Sequence, residues 1–369
     1  MARIYLLTTS DIVSDQRVHR SAITLAAEGH RVTVVGRKLS KETSEISRTY
    51  AVFQFNLPFK KGVFFYLSFN LWAFLYLIFH RFDLVVANDL DTLLAARLSA
   101  AFKRKKVLYD SHELFTELPE LINRKVKRYI WFVLEKLLTK GLPACIAVSD
   151  GVARHLENRY GVRCIVIRNL PFSRNAEEHQ SWINKPIKVI IYQGSLNIGR
   201  GLERLIQAMQ WVDNAELIIA GVGDIQSKLV EISMTRGLSD RVKFLGKIPL
   251  EELHGITQTA SLGVSLEEDM GLNYRYALPN KLFDYIQAGI PVLVSDLPEM
   301  VAIVSKYDVG EALPSNCAPQ LLSEKLNQLL NDNIKMNTWH VNAKNAALEL
   351  NWEKESGKLV SIVNEILNT

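Results

Sequence analysis

Apolar positions along the chain alternate between two periods. Short, densely apolar runs at residues 3–8, 31–35, 84–87, 106–109 and 144–148 predict buried strands. Between them run segments with a 3.6-residue repeat, which predict helices, beginning with residues 16–28. Gly29-His30 turns the chain between helix and strand, and Ser149 reads as the N-cap of a helix that runs towards Tyr160. Residues 173–186 are polar, aperiodic and end in Pro186, as a linker would be. The alternation then restarts, with strands at 188–192, 216–220, 242–245, 262–265 and 291–294. Helices are expected at 201–209, 321–330, 336–350 and 353–367.

Strand-helix alternation in both halves predicts an α/β chain of two Rossmann-like domains, their parallel sheets facing across a cleft. The expected boundaries are 1–172 for the first domain, 173–186 for the linker and 187–351 for the second. A C-terminal helix, 352–367, should pack back on the first domain. Ligands of such sheets bind beyond the carboxyl ends of the strands, at the topological switch point. The loops that follow strands are therefore where chemistry is sought.

Residues 63–79 interrupt this regular picture. They are almost wholly apolar and aromatic, broken by Ser68 and Asn70, with Lys60 and Lys61 before them and His80 and Arg81 after. A membrane span needs about 20 such residues. The segment reads first as a packed helix of the N-terminal domain, then as a helix with one face on a membrane, and last as a span.

Composition narrows the classes. At 369 residues there is length for two cores. A net charge of +5 suits an anionic ligand or an anionic membrane surface and is too small to argue for nucleic acid, and no DNA- or RNA-binding module is visible. Cys145, Cys164 and Cys317 are scattered and odd in number, which predicts a reducing compartment, no disulfide framework and no zinc spacing. The N-terminus runs straight into a strand pattern without the features of a signal peptide. A cytoplasmic protein is expected, peripheral at most at the inner face of the plasma membrane.

Two stretches carry the chemistry. The first, residues 192–201, lies between a strand and a helix. Gly194, Gly199 and Gly201 let backbone approach an anion closely, and Arg200 adds a forked cation, the pattern of a phosphate loop. The second, residues 278–291, starts a helix at Pro279 and ends it at Gly289. Lys281 falls in its first turn, where the helix dipole disfavours a cation unless an anion binds there. Asp284, one turn on, could accept two hydrogen bonds from a ribose diol. Both stretches also admit plainer readings, a strand-to-helix turn and a solvated helix face.

Here the chain resembles the retaining family-4 glycosyltransferases of the GT-B fold, and residues 188–296 resemble their donor domain. That family's diphosphate loop falls on Gly194-Ser195-Leu196 and Arg200-Gly201, with Ser195 where the family has an arginine. Its second glycine-rich loop falls on Gly221-Val222-Gly223-Asp224, and its base-contacting segment includes Lys247 and Ile248. Of its two glutamates, the one that holds the donor ribose falls on Asp284; for the other, the family spacing lands on Tyr276, while counting from the strand end gives Glu268 with a longer loop before Pro279, after which Asn280 and Lys281 open the helix. In the first half, residues 11–20 look like the family's first acceptor-domain loop, which brings in Asp15 and Arg17, and residues 110–113 look like the loop whose histidine, here His112, contacts the donor sugar.

The resemblance implies transfer of a sugar from a UDP- or GDP-sugar to a glycan or polyprenyl-linked acceptor with retention, as in surface polysaccharide assembly. It implies His112, Arg200 and Lys281 as the groups nearest the reaction. No metal and no cofactor are expected; Asp89-Leu90-Asp91 has the form of a metal-binding pair but falls at a helix start, where carboxylates are favourable anyway. The aromatic segment and the basic helix start at residues 124–131 point to a membrane-proximal acceptor. A sugar-nucleotide epimerase of the same fold and a catalytically inactive sugar-nucleotide-binding scaffold stay open beside this reading.

Overall fold

The computed structural model describes residues 1–13, 15–38, 48–118, 121, 124–174 and 186–369. Most of the expected linker, residues 175–185, lies outside the described residues. The chain divides into two compact units, Met1–Asn169 with Glu355–Thr369, and Leu170–Lys354. Each contains one parallel sheet.

In the first unit the strands are β1 (Arg3–Leu7), β2 (Arg31–Arg37), β3 (Ala51–Phe55), β4 (Leu84–Asn88), β5 (Lys106–Ser111), β6 (Cys145–Ala147) and β7 (Cys164–Val166). Their spatial order is β3-β2-β1-β4-β5-β6-β7. The order reverses at the β1–β4 pair, where Ile4 lies opposite Leu84 and Leu7 opposite Ala87. This is the switch point at which Rossmann-like sheets open a ligand crevice. In the second unit, β8 (Lys188–Gln193), β9 (Ala215–Ala220), β10 (Val242–Gly246), β11 (Leu262–Ser265), β12 (Val292–Ser295) and β13 (Gly310–Leu313) run in the order β10-β9-β8-β11-β12-β13. Its switch point is the β8–β11 pair.

Both faces of each sheet are covered, so the central strands are continuously apolar rather than alternating. Neighbouring residues of β8 show the division: Ile190 packs into one buried cluster with Leu217 and Leu262, and Ile191 into another with Leu282 and Tyr285. The final helix, Trp352–Asn368, starts in the second unit and from Glu355 onward belongs to the first. There the Arg168 amide donates to Glu355 (2.8 Å), Val363 and Ile366 are buried, and Arg163 pairs with Glu365.

Two expectations change here. Cys145 and Cys164 are joined in a disulfide, because β6 and β7 place them directly opposite each other with Cα atoms 4.7 Å apart. Only Cys317 is free among the described cysteines. The cysteine pattern therefore no longer argues for a reducing compartment.

The aromatic segment forms the helix Val63–Phe79. Among the described residues no helix is long and apolar enough to cross a membrane. One face of this helix buries Phe65, Phe69, Ala73 and Leu77, and Asn70 bonds into the neighbouring helix Leu90–Lys103, accepting from the Ala95 amide and donating to the Asp91 carbonyl. The opposite face leaves Phe64, Leu67, Leu71, Trp72 and Phe79 exposed.

Candidate functional site

In the second unit, the loops after β8, β9 and β11 come together at the switch point. The chain leaves β8 through Gly194, whose amide donates to Ala220 at the end of β9 (2.9 Å). Gly221 follows β9 at φ 150°, and a Cβ there would lie 1.8 Å from the Gly194 carbonyl. No side chain fits, which is why two glycines face each other across this turn. The Leu196 amide then donates to Val222, and the Gly221 amide to Gly246. That last bond draws the end of β10 alongside, with Lys247 exposed and Ile248 half-buried just beyond it. Ser195 is exposed, and its carbonyl accepts from the Tyr192 hydroxyl (2.7 Å). Gly199 accepts at its carbonyl from the Glu268 amide (2.9 Å), and Gly201 leads into the helix Leu202–Ala208.

The charged centre of this loop cluster is a carboxylate that the sequence reading passed over. Glu267, not Glu268, turns inward. Residues two apart in extended chain share a face, so Glu267 follows Ser265, whose hydroxyl donates to it at 2.7 Å. Glu268 is directed the other way and is half-exposed. The alternation beyond β11 was the signal that could have separated them. Glu267 is 0% exposed. Lys281 Nζ donates to its Oε1 at 2.7 Å, and Arg200 Nη1 stands 3.5 Å from the same oxygen. Burial by itself pushes the Glu267 carboxyl up, but Lys281 and Arg200, with hydrogen bonds from Lys281 and Ser265, hold it below the ordinary carboxylate range.

Lys281 is buried on the first turn of the helix Asn280–Gln287, 4.4 Å from the centre of the Tyr192 ring. Its unfavourable place on the helix dipole is thus compensated within the protein. Arg200 is different: its side chain is 29% exposed and lies over the Tyr274 ring. Asp284 accepts from Gln193 Nε2 (2.9 Å), and Gln193 in turn accepts from Thr257 (2.7 Å) on the helix Leu250–Gln258, which fixes its orientation. Asn280 is exposed at the helix start.

In the first unit, the loops after β1, β4 and β5 carry a second cluster. Asp15 caps the helix Gln16–Ala27 by accepting from the Val18 amide (3.0 Å). Arg17, expected on the acceptor side, is instead buried within the unit. Its Nε and Nη2 both donate to Asp110, the latter at 2.6 Å, and its Nη1 donates to the Ile167 carbonyl at 3.0 Å. It holds Asp110 rather than a ligand. Asp110 lies near the end of β5 beside His112, whose Nε2 is 3.4 Å away, a charge contact rather than a well-made hydrogen bond. Asp89, after β4, takes the His112 amide on Oδ1 (2.9 Å) and His112 Nδ1 on Oδ2 (3.1 Å). Asp89 adopts φ 63°, ψ 164°, a region that costs a non-glycine residue about 1–3 kcal/mol.

Burial works against a charged imidazole, yet Asp89 and Asp110 outweigh it and push His112 up to about 10. Asp110, despite its burial, is held well below the carboxylate range by Arg17 and His112. Asp91 behaves in the opposite sense: burial first, and Asp89 next, push it up to about 7, although Thr9 donates to it at 2.5 Å. Among the described residues no group of three His, Cys, Asp or Glu side chains is placed to hold a metal ion.

With this geometry in hand, residues 15–170 match the model of glycosyltransferase family 4, and residues 173–346 match that of the glycosyl transferases group 1. The chain belongs to the family-4 GT-B glycosyltransferases. A curated glycosyltransferase of Methanocaldococcus jannaschii is 30% identical over 128 residues, 33% of this chain and 30% of the relative's length. Among solved structures, the sucrose-phosphate synthase of Thermosynechococcus elongatus superposes with TM-score 0.80 at 17% identity over 100% of both chains. HepE of Anabaena, solved with UDP and glucose, gives 0.79 at 18% identity over 99% of this chain and 100% of that one. Identities this low carry the fold alone. The two parallel sheets of this glycosyltransferase are those of the GT-B fold.

Proposed function

We propose that this glycosyltransferase takes a sugar from a UDP- or GDP-sugar and transfers it, with retention and without a metal, to a glycan or polyprenyl-linked acceptor in surface polysaccharide synthesis. The observation that carries the reading is the pair of cations at the β8–β11 switch point, Arg200 partly open to solvent and Lys281 behind it. When the sugar–phosphate bond breaks, negative charge grows on the departing diphosphate. Arg200, Lys281 and the amides of the Gly194–Gly201 loop stabilise it electrostatically. Each charge-assisted contact contributes about 1.5–3 kcal/mol. Ser195 leaves one cation fewer than the family loop carries, which puts more of the work on Lys281. No protein nucleophile is needed if the acceptor hydroxyl attacks on the leaving-group side and gives its proton to the donor phosphate. Asp284 is read as the ribose contact, with Glu267 taking the place expected for Glu268.

Peripheral membrane contact on the cytoplasmic side is part of the proposal. The exposed face of Val63–Phe79 adjoins the helix Lys125–Thr139 through Tyr66 and Trp131, whose rings are 5.1 Å apart. Val126, Tyr129 and Ile130 are exposed there, with Arg124, Lys125 and Lys127 beside them. Apolar side chains ringed by base suit an anionic lipid surface. Binding to vesicles containing phosphatidylglycerol, weakened by K125A/K127A/R128A, is the expected result; no binding by the intact protein removes this part.

The direct test of the donor reading is thermal unfolding with a panel of nucleoside diphosphates and their sugars, on wild type and Arg200→Ala. One base should stabilise the wild type and lose its effect in the variant. Chelator should leave transfer intact. Conversion of the sugar nucleotide without acceptor would make the protein an epimerase, and stabilisation without any transfer would make it a scaffold.

A further inference from the structure

The His112 cluster allows a statement about what this histidine does. Its ring is enclosed by acceptors. Nδ1 faces Asp89 at 3.1 Å, and Nε2, shielded from solvent, faces Asp110 at 3.4 Å. Ionised carboxylates only accept hydrogen bonds. Asp110 is kept ionised by a two-point clamp from Arg17, so Nε2 can meet it favourably only as N–H. Asp89 already accepts from the His112 amide and meets Nδ1 on the same terms. The Asp89 side chain makes no capping bond to the helix that follows it, although the residue occupies the N-cap position and its carbonyl accepts from Thr92. Its carboxylate therefore serves His112 rather than the helix.

We propose that Asp89 is a positioning residue which, together with Asp110, leaves neither ring nitrogen of His112 free to take up a proton, so that His112 acts as a fixed cation and not as a general base. The charged groups around the ring are Asp89 and Asp91 from the β4 loop and helix start, Asp110 from β5, and Arg17 from the first helix, standing behind Asp110. Glu113 follows His112 directly in the chain. The partly open ring, 21% exposed, offers an incoming ligand a positively charged edge. The inference concerns this unit alone and rests on the proposed reaction only for its meaning in catalysis.

The test is nitrogen–proton correlation spectroscopy of the histidine rings in the full chain from pH 5 to 10, with His112→Gln to assign the signal among the eight histidines. Wild-type His112 should keep both N–H protons past pH 9. Asp89→Asn should lower its midpoint by about 1–3 pH, the effect of removing a neighbouring opposite charge. Asp89→Gly removes the carboxylate while accepting the φ of 63° without strain. It should show the same fall in the ring's midpoint, which a purely structural Asp89 would not produce. A wild-type midpoint near the ordinary value of about 6.5, or no fall in either variant, overturns the proposal. Because none of these readouts needs donor, acceptor or turnover, failure of the transferase reading would leave the result standing.

Discussion

The two units build their loop clusters on the same plan and reach opposite electrostatic ends. In each, a buried carboxylate near the carboxyl ends of the central strands is clamped by a long cation from a helix: Glu267, just after β11, by Lys281, and Asp110, within β5, by Arg17. In the second unit a further cation, Arg200, shares the one carboxylate, and the cluster has positive charge to spare. In the first, Asp89 and Asp91 join Asp110, and His112 is recruited as a cation to balance them. Neighbouring positions on the same kind of sheet thus yield a site suited to an anion in one unit and an internally balanced network in the other. What decides between them is whether the extra residue at the loop is a base or an acid, not the fold.

The comparison breaks most visibly if either clamp is removed. Lys281→Ala leaves Glu267 fully buried with only the more distant Arg200 to answer its charge. Loss of one partner of a buried pair costs about 3–5 kcal/mol, and the second unit should unfold at correspondingly lower urea. The double variant Lys281→Ala/Glu267→Gln should recover most of that loss, because no uncompensated charge remains. Arg17→Ala should cost the first unit a similar amount, for the same reason at Asp110. If Lys281→Ala is tolerated within about 1 kcal/mol, the ion pair contributes little and the parallel between the units fails.

A smaller effect separates the clamp from the ligand-facing cation. Arg200 is partly solvated, so Arg200→Ala should change stability by no more than about 1 kcal/mol. It should instead weaken nucleoside diphosphate binding by about 1.5–3 kcal/mol, read by titration calorimetry. Equal losses of stability and affinity would mean that Arg200 and Lys281 do one job rather than two.

These clusters also mark how far the sequence could be read. The central strands were legible because burial on both faces makes them continuous apolar runs. The strands that went unpredicted, β3, β7 and β13, are all sheet edges. Gly310-Glu311-Ala312-Leu313 carries too little apolar pattern to stand out, β7 is only three residues long, and the strand state of both comes from the neighbour they pair with. The pairing that brings Cys145 to Cys164 was invisible for the same reason. Glycines and Arg200 could be found from local pattern, since a tight turn demands them. The pairings of Glu267 and Arg17 could not, because their partners stand 14 and 93 residues away and only the folded chain brings them together.

The least costly change tests the balance within the first unit. Asp91 is buried, and its carboxyl is pushed up to about 7, while an unfolded aspartate titrates near 3.9. Between those values the folded state holds the extra proton, so stability must fall as pH rises from about 4 to 7 and then level off. Asn lacks this liability and keeps an oxygen to accept from Thr9. Asp91→Asn should therefore be indistinguishable from wild type below about pH 4 and more stable by up to about 4 kcal/mol at pH 8, measured as urea midpoints across that range. His112 runs in the opposite direction, since a raised histidine adds stability that is complete below about 6.5 and lost only as pH passes through about 10. Stability lost rather than gained at pH 8 in Asp91→Asn would mean that His112 needs the Asp91 charge as well as those of Asp89 and Asp110. The cluster would then be a three-carboxylate network instead of a two-point clamp.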